Sequence, residues 1–253
     1  MTTLMKVSIK TPLVFIITHA QVRARDRIYR AQHLAKVIYH CRLHFFGMER
    51  LGKFIAFEGL DGSGKSTHIK ALCMKLRQNG LDVIQTSEPS QGRIGKFIRE
   101  YVERREIRLP TEIEALLFAA DRLDHVKRII EPALKMGKIV ISDRYTHSSL
   151  AYQGAEGLNI EWIKELNKFA IKPDLTILLD VTSETALSRM KGRRKTIFEV
   201  DKIQQKVRNI YLQIARRREL VKIDANLPFQ EVHANVCLLV NNLLEKTSSE
   251  ECI

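Results

Sequence analysis

The segment Gly59-Leu60-Asp61-Gly62-Ser63-Gly64-Lys65-Ser66 constrains this chain more than any other. It fits the pattern G-x-x-x-x-G-K-[S/T] and directly follows an apolar run, Phe54-Ile55-Ala56-Phe57. Beyond it, Ile69, Leu72, Cys73 and Leu76 recur at i, i+3, i+4 and i+7, the spacing of an amphipathic helix. Strand, glycine loop and helix in that order are the setting in which the pattern means a phosphate cradle. The glycines let the backbone fold back, so that successive N–H groups point at phosphate oxygens beside the positive end of a helix. Gly59, Leu60, Asp61, Gly62, Ser63, Gly64, Lys65, Ser66 and Thr67 are therefore expected to hold a nucleoside triphosphate. Lys65 would reach the β- and γ-phosphates, and the Ser66 hydroxyl would coordinate Mg²⁺. The bland alternative, a glycine-rich turn with a surface lysine, explains neither the flanking strand nor the helix.

From Lys53 onward short apolar runs alternate with helical patterns. The strand candidates are Lys53–Glu58, Asp82–Thr86, Lys138–Ser142, Leu175–Asp180 and Leu220–Ile223. A last helix carries Phe229, Val232, Val236, Leu239, Val240 and Leu243 on one stripe. Such alternation predicts an α/β fold built from right-handed crossovers, with a parallel sheet covered by helices on both faces. Ligands of such sheets gather at the carboxyl ends of the strands, and the polar motifs of this chain follow strand ends.

The formal net charge of +13 has two sources. Residues 1–47 hold eight Lys and Arg against the single acid Asp26, so more than half of the excess lies ahead of the first strand. The remainder suits an enzyme of phosphorylated substrates, whereas +13 spread evenly would have pointed to nucleic acid. Residues 1–47 read as a basic extension, disordered or not translated, since Met48 stands just before the first strand. Its acid-poor, arginine-rich composition also resembles a transit peptide, though with a single serine, and would equally suit a basic arm. Cys41, Cys73, Cys237 and Cys252 show no metal-site or disulfide spacing, which suits reduced thiols in a cytoplasmic protein. The apolar run Leu13 to Ile17 is far too short to span a membrane.

Four further groups carry possible chemistry. Asp143 and Arg144 follow the run Lys138–Ser142 directly; the carboxylate suits Mg²⁺ or its waters and the guanidinium a phosphate, although an ion pair ending a strand has the same pattern. Phe118 and Arg122 share a helix face, well off the main apolar stripe through Ile113, Leu116, Ala120, Leu123 and Ile130. They would serve a base pocket or a second packing face equally well. Arg99, on a helix after the second strand, reaches a monophosphate or simply faces solvent. Lys191-Gly192-Arg193-Arg194-Lys195 joins two helical stretches, and with a glycine loop in the same chain it reads as a lid rather than a solvated run. The helix after that lid would bury Ile203, Val207, Ile210 and Ile214.

Taken together, residues from about 52 to 246 resemble the thymidylate kinase family of P-loop nucleoside monophosphate kinases. The resemblance rests on Phe57-Glu58 through Ser66, on Glu88-Pro89, on Leu117-Phe118-Ala119-Ala120-Asp121-Arg122, on Asp143-Arg144-Tyr145 through Ala151-Tyr152-Gln153-Gly154, and on Ile223-Asp224-Ala225. It implies a three-layer P-loop NTPase fold with a five-stranded parallel sheet over residues 48–247, a lid at about 190–198, and a short tail at 248–253. It also implies a cytoplasmic homodimer that transfers the ATP γ-phosphoryl group to dTMP with Mg²⁺, without a membrane or a specific nucleic-acid partner. Residue by residue, Asp61 would bond the sugar 3′-hydroxyl and help place the acceptor phosphate. Arg99 and Arg144 would hold that phosphate. Phe118 would stack on thymine, Arg122 would bond its O4, and Gln153 would touch the base edge. Tyr152 would pack on the deoxyribose, with Ser148 nearby in the same site, while Ser66 and Asp143 would serve the metal. Gly62 stands where some members carry the catalytic arginine, so the resemblance gives that work to Arg193 and Arg194, beside Lys65 and Asp61. Two other functions fit parts of the pattern: a different nucleoside or nucleotide kinase, and a nucleic-acid-binding P-loop ATPase suggested by the pI of 9.7.

Overall fold

Each of the five apolar runs becomes a strand, within one residue of where hydropathy places it. In the computed structural model, which describes residues 52–104, 108–190 and 201–250, the strands are β1 (Phe54–Glu58), β2 (Val83–Ser87), β3 (Ile139–Asp143), β4 (Leu175–Asp180) and β5 (Val221–Asp224). These residues all lie in the unit from Arg50 to Ile253. The extension 1–47, the lid segment 191–198 with Arg193 and Arg194, and residues 251–253 fall outside them.

The strands form one sheet in the order β2-β3-β1-β4-β5, every neighbouring pair parallel. Helices fill the crossovers: α1 (Lys65–Gln78), α2 (Arg93–Arg104), α3 (Thr111–His125), α4 (Glu131–Lys135), α5 (Thr146–Ala155), α6 (Ile160–Leu166), α7 (Ser183–Arg189), α8 (Asp201–Arg216) and α9 (Phe229–Glu250). A π-helical turn, Val126–Ile130, links α3 to α4. Successive residues of a strand point to opposite faces. On β1, Ile55 and Phe57 enter a core shared with α1, α5, α8 and α9, whereas Phe54 and Ala56 enter a second core with Val126, Ile130, Leu134 and Tyr145. A strand buried on both sides is apolar on both faces, which is why β1 reads as an unbroken apolar run up to its last residue, Glu58.

Register decides where the site forms. Phe57 pairs with Asp143 across β1 and β3, and Ser87 pairs with Asp143 across β2 and β3. Three strands therefore end level, and the glycine loop, Glu88-Pro89 and Asp143-Arg144 emerge side by side.

One expectation about helix faces is overturned. The part of the apolar stripe that lies on α3 does not pack into the core: Ile113, Leu116 and Leu123 are 43%, 50% and 40% exposed, whereas Ile130, at the end of the π-helical turn, is buried as expected. The buried face of α3 carries Glu114, Ala115, Asp121, Arg122 and His125 instead. Asp121, Arg122 and His125 meet partners at the strand ends, described below, while Glu114 Oε1 accepts from Tyr101 and Arg108, so this face is held inward by hydrogen bonds. On α8, Val207 and Ile214 are buried as the periodicity predicts, Ile203 and Ile210 are half-buried, and Tyr211 joins them with no exposure.

Candidate active site

The loop Gly59–Gly64 leaves β1 and turns into α1, whose N-cap is Gly64 at φ 93°. Gly62 sits at φ 80°, and a Cβ added there would lie 2.4 Å from the Ala186 carbonyl oxygen of α7. No side chain, an arginine included, fits that position without moving α7. Lys65 is buried, and its ammonium donates to the carbonyl oxygens of Gly59 at 3.0 Å and Leu60 at 2.8 Å. Desolvation by burial, assisted by the nearby Arg144 charge, lowers its pKa to about 8. Thr67, exposed in the first turn of α1, donates its N–H to the Gly64 carbonyl at 3.1 Å.

Across the β1–β3 seam, Ser66 Oγ donates to Asp143 Oδ2 at 2.6 Å. A hydroxyl and a carboxylate are both hard oxygen donors, the kind that take Mg²⁺ alongside substrate phosphates rather than in an all-protein cage. No group of three His, Cys, Asp or Glu able to hold a metal occurs among the described residues.

Arg144 stands between loop and cleft. Its backbone has φ 74°, a region uncommon for a residue with a Cβ, and its N–H is fixed by the Phe57 carbonyl at 2.8 Å. Nη2 donates to Asp61 Oδ1 at 2.8 Å and to Tyr152 OH at 3.1 Å. Nη1 donates to Ser148 Oγ at 3.1 Å and to the Gly59 carbonyl at 3.3 Å. The guanidinium also lies 4.9 Å from the Tyr152 ring centroid, a cation–π contact. Burial pushes the Tyr152 phenol well up, keeping it neutral as a donor to Asp61 Oδ2 at 3.3 Å.

Behind the loop opens a cleft walled by Asp61, Glu88, Pro89, Val102, Phe118, Arg122, Arg144, Ser148, Ser149, Tyr152 and Gln153. Counted together with the open solvent at its mouth, the space amounts to about 680 Å³. Gln153 is buried there, and its Oε1 has no hydrogen-bond partner. A buried carbonyl left unpaired calls for a donor.

Arg122 is in this wall but heavily engaged. Nε and Nη2 bond Glu88 Oε2 at 2.8 and 2.7 Å, Nη1 bonds Ser149 Oγ at 3.1 Å and Asn167 Oδ1, and Nη2 also bonds the Tyr145 carbonyl at 3.0 Å. Glu88 in turn meets His125 Nδ1 at 3.2 Å, and His125 Nε2 meets Thr86 Oγ1 at 2.6 Å. Arg99 is not among the lining residues: its guanidinium holds the Pro89 carbonyl at 2.8 Å, the Ser90 carbonyl, and Gln91 Oε1 at 3.3 Å. Asp121 clamps the same loop, accepting from Ser90 N at 2.7 Å and from its hydroxyl at 2.5 Å.

The structure thus brings together Asp61, Phe118, Arg122, Arg144, Ser148, Tyr152 and Gln153, and sets Lys65, Ser66 and Asp143 beside them. Arg193 and Arg194 lie outside the described residues. Glu58, Glu88 and Ser149 stand inside the sequence motifs without a role that the sequence alone assigns, and His125, Asn167 and Tyr211 stand outside them. Only the i, i+3 pair Arg122 and His125 offered a signal, a polar face opposite an apolar one.

Residues 57–236 match the family model described as thymidylate kinase. A protein of Thermococcus onnurineus described as a probable thymidylate kinase is 45% identical over 203 residues, covering 76% of this chain and 99% of its own. One from Pyrococcus abyssi, described likewise, is 45% identical over 201 residues, covering 76% and 98%. A relative from Halothermothrix orenii, described as thymidylate kinase, is 39% identical over 205 residues, covering 77% and 99%.

Proposed function

This chain belongs to the thymidylate kinase family, and on that premise we propose that it transfers the γ-phosphoryl group of ATP to dTMP, giving dTDP. The observation that carries the reading is the sharing of Asp61 and Arg144 between the glycine loop and the cleft. A donor phosphate on the loop and an acceptor phosphate in the cleft would meet there. The thymine ring would lie on Phe118, with the unpaired Gln153 Oε1 facing its imide N–H. Arg122, braced by Glu88, would share a donor with O4.

The acceptor phosphate is already an anionic nucleophile, so the protein's work is alignment and charge neutralisation. Lys65 would leave the loop carbonyls for the transferring phosphate, and Arg144 would hold the acceptor phosphate against Asp61. Mg²⁺, held by Ser66 and Asp143 with the ATP phosphates, would neutralise charge on the donor. With Gly62 closed to side chains by Ala186, Arg193 and Arg194 of the lid would supply the remaining cations. Arg99 would act on the acceptor phosphate through the Pro89-Ser90 loop it braces.

The protein would act as a homodimer. The exposed stripe Ile113, Leu116 and Leu123 on α3, with Phe97 on the adjoining α2, is the apolar face a second copy would cover. No helix among the described residues is long and apolar enough to cross a membrane, and the unpaired cysteines Cys73 and Cys237 suit a cytoplasmic setting. Residues 48–247 would be the working domain and 1–47 an appendage. Turnover against dTMP, dUMP, dCMP and thymidine, with product identified by chromatography, tests the reading. dTDP formation fastest from dTMP supports it, and preferred phosphorylation of thymidine overturns it.

A further inference from the structure

Glu58 ends β1 with no solvent exposure, and its carboxylate accepts four hydrogen bonds. Oε1 takes the backbone N–H of Tyr145 at 2.9 Å and of Ser148 at 3.1 Å. Oε2 takes the Ser148 hydroxyl at 2.6 Å and the Tyr211 hydroxyl at 2.8 Å. Burying a carboxylate is costly even when its lone pairs are met. Oε1 answers two backbone N–H groups at the start of α5, a job a neutral amide oxygen could do as well. What the charged carboxylate adds at Oε2 is the orientation of a hydroxyl. With its proton committed to Glu58, Ser148 Oγ presents lone pairs, and Arg144 Nη1 donates to it at 3.1 Å. That bond leaves Arg144 Nη2 aimed at Asp61 and Tyr152.

The geometry points to Glu58 as a positioning residue for the acceptor side of the reaction, acting through Ser148 on Arg144, with Tyr211 of α8 steadying the carboxylate. This rests on the reading of Arg144 as holder of the acceptor phosphate. Glu58 touches no substrate in it. Tyr211 binds the arrangement from a distant element, its hydroxyl lying 3.1 Å from Ser148 Oγ as well. Burial beside the Glu58 charge raises its pKa well above the usual phenol, so it stays a donor.

Glu58→Gln keeps the shape and inverts the polarity. The amide oxygen can serve the two backbone N–H groups, leaving NH₂ opposite the hydroxyls of Ser148 and Tyr211. Ser148 must then accept from the amide, and its own proton turns toward Arg144, donor against donor. Loss of one well-placed bond to a charged group is worth roughly tenfold or more, so the KM for dTMP should rise by about that factor while the KM for ATP stays within about twofold. In a Ser148→Ala background the same change should add little, because coupled residues are not additive.

The experiment is steady-state kinetics of Glu58→Gln, Ser148→Ala, their double variant and Arg144→Ala. Non-additive rises confined to the dTMP KM bear the proposal out. Additive effects, or equal rises in both KM values, overturn it and make Glu58 a structural residue. An Arg144→Ala variant with an unaltered dTMP KM overturns the acceptor-phosphate reading itself. A dTMP defect in Arg144→Ala without one in Glu58→Gln overturns only the positioning role. Should Glu58→Gln not fold, Tyr211→Phe with and without Ser148→Ala is read by the same criteria, since it removes one Oε2 bond and keeps the carboxylate.

Discussion

Ser66 and Asp143, 77 positions apart in sequence, are joined by a 2.6 Å hydrogen bond across the seam between β1 and β3. The parallel pairing of Phe57 with Asp143 places them there, since it carries the carboxylate to the level at which the glycine loop turns into α1. Loss of either group should weaken metal use without unfolding the sheet. Ser66→Ala or Asp143→Asn is expected to raise the Mg²⁺ needed for half-maximal rate by roughly 10–100-fold. Titrating Mg²⁺ at saturating ATP and dTMP measures this, and an unchanged requirement would remove the pair from the metal site.

Lys65 gives a prediction in which activity and stability move oppositely. Its ammonium is buried and its pKa is lowered to about 8 by desolvation first, then by Arg144. A lysine with a depressed folded pKa destabilises the fold below that pKa, and the penalty fades as pH rises from about 8 toward the ordinary 10.5. Lys65→Met should therefore lower kcat by at least roughly 100-fold yet melt at or above the wild-type temperature at pH 7. The gap in melting temperature should narrow by pH 10. For the wild type, kcat/KM for ATP should fall as pH rises through about 8, the pKa of the free enzyme's lysine. A variant that melts lower at pH 7 by differential scanning calorimetry would contradict the burial argument.

Selectivity for the base should reside in Gln153. Its unpaired Oε1 suits the N3–H of thymine or uracil and opposes the bare N3 of cytosine. The wild type is expected to favour dTMP over dCMP by more than the roughly 10–200-fold that a single methyl group confers over dUMP. Gln153→Met should close most of the gap to dCMP. Competition assays with paired substrates report the ratio directly, and an unaltered ratio would place the selectivity elsewhere.

The outward stripe of α3 makes a prediction about assembly. Leu116, 50% exposed, is a large apolar side chain on a face with Ile113 and Leu123. Leu116→Asp would place a charge within an apolar interface, so the variant should sediment as a monomer where the wild type sediments as a dimer. Sedimentation velocity over a range of concentrations distinguishes the two. A wild type that stays monomeric at every concentration would show that nothing covers the stripe.

Much of the fold was written locally. The glycine loop needs positive φ and close packing, and the strand ahead of it needs apolar residues on both faces, so spacing and hydropathy alone placed β1, the loop and α1. The same holds for the four other strands, each found within a residue of its expected bounds. What local pattern could not decide was which face of α3 turns inward. Its apolar stripe pointed one way, and the partners waiting at the strand ends, Glu88 for Arg122 and His125, and Ser90 for Asp121, pulled the other way. Those partners lie on loops more than thirty residues away, and only the register of a parallel sheet brings them together. Glu58 tells the same story. In sequence it is one letter of a phosphate-loop motif, and only the folded chain sets Tyr145, Ser148 and Tyr211 around its carboxylate. Periodicity reports what a segment will bury, whereas hydrogen-bond partners of buried polar groups come from elsewhere in the chain and are settled by topology.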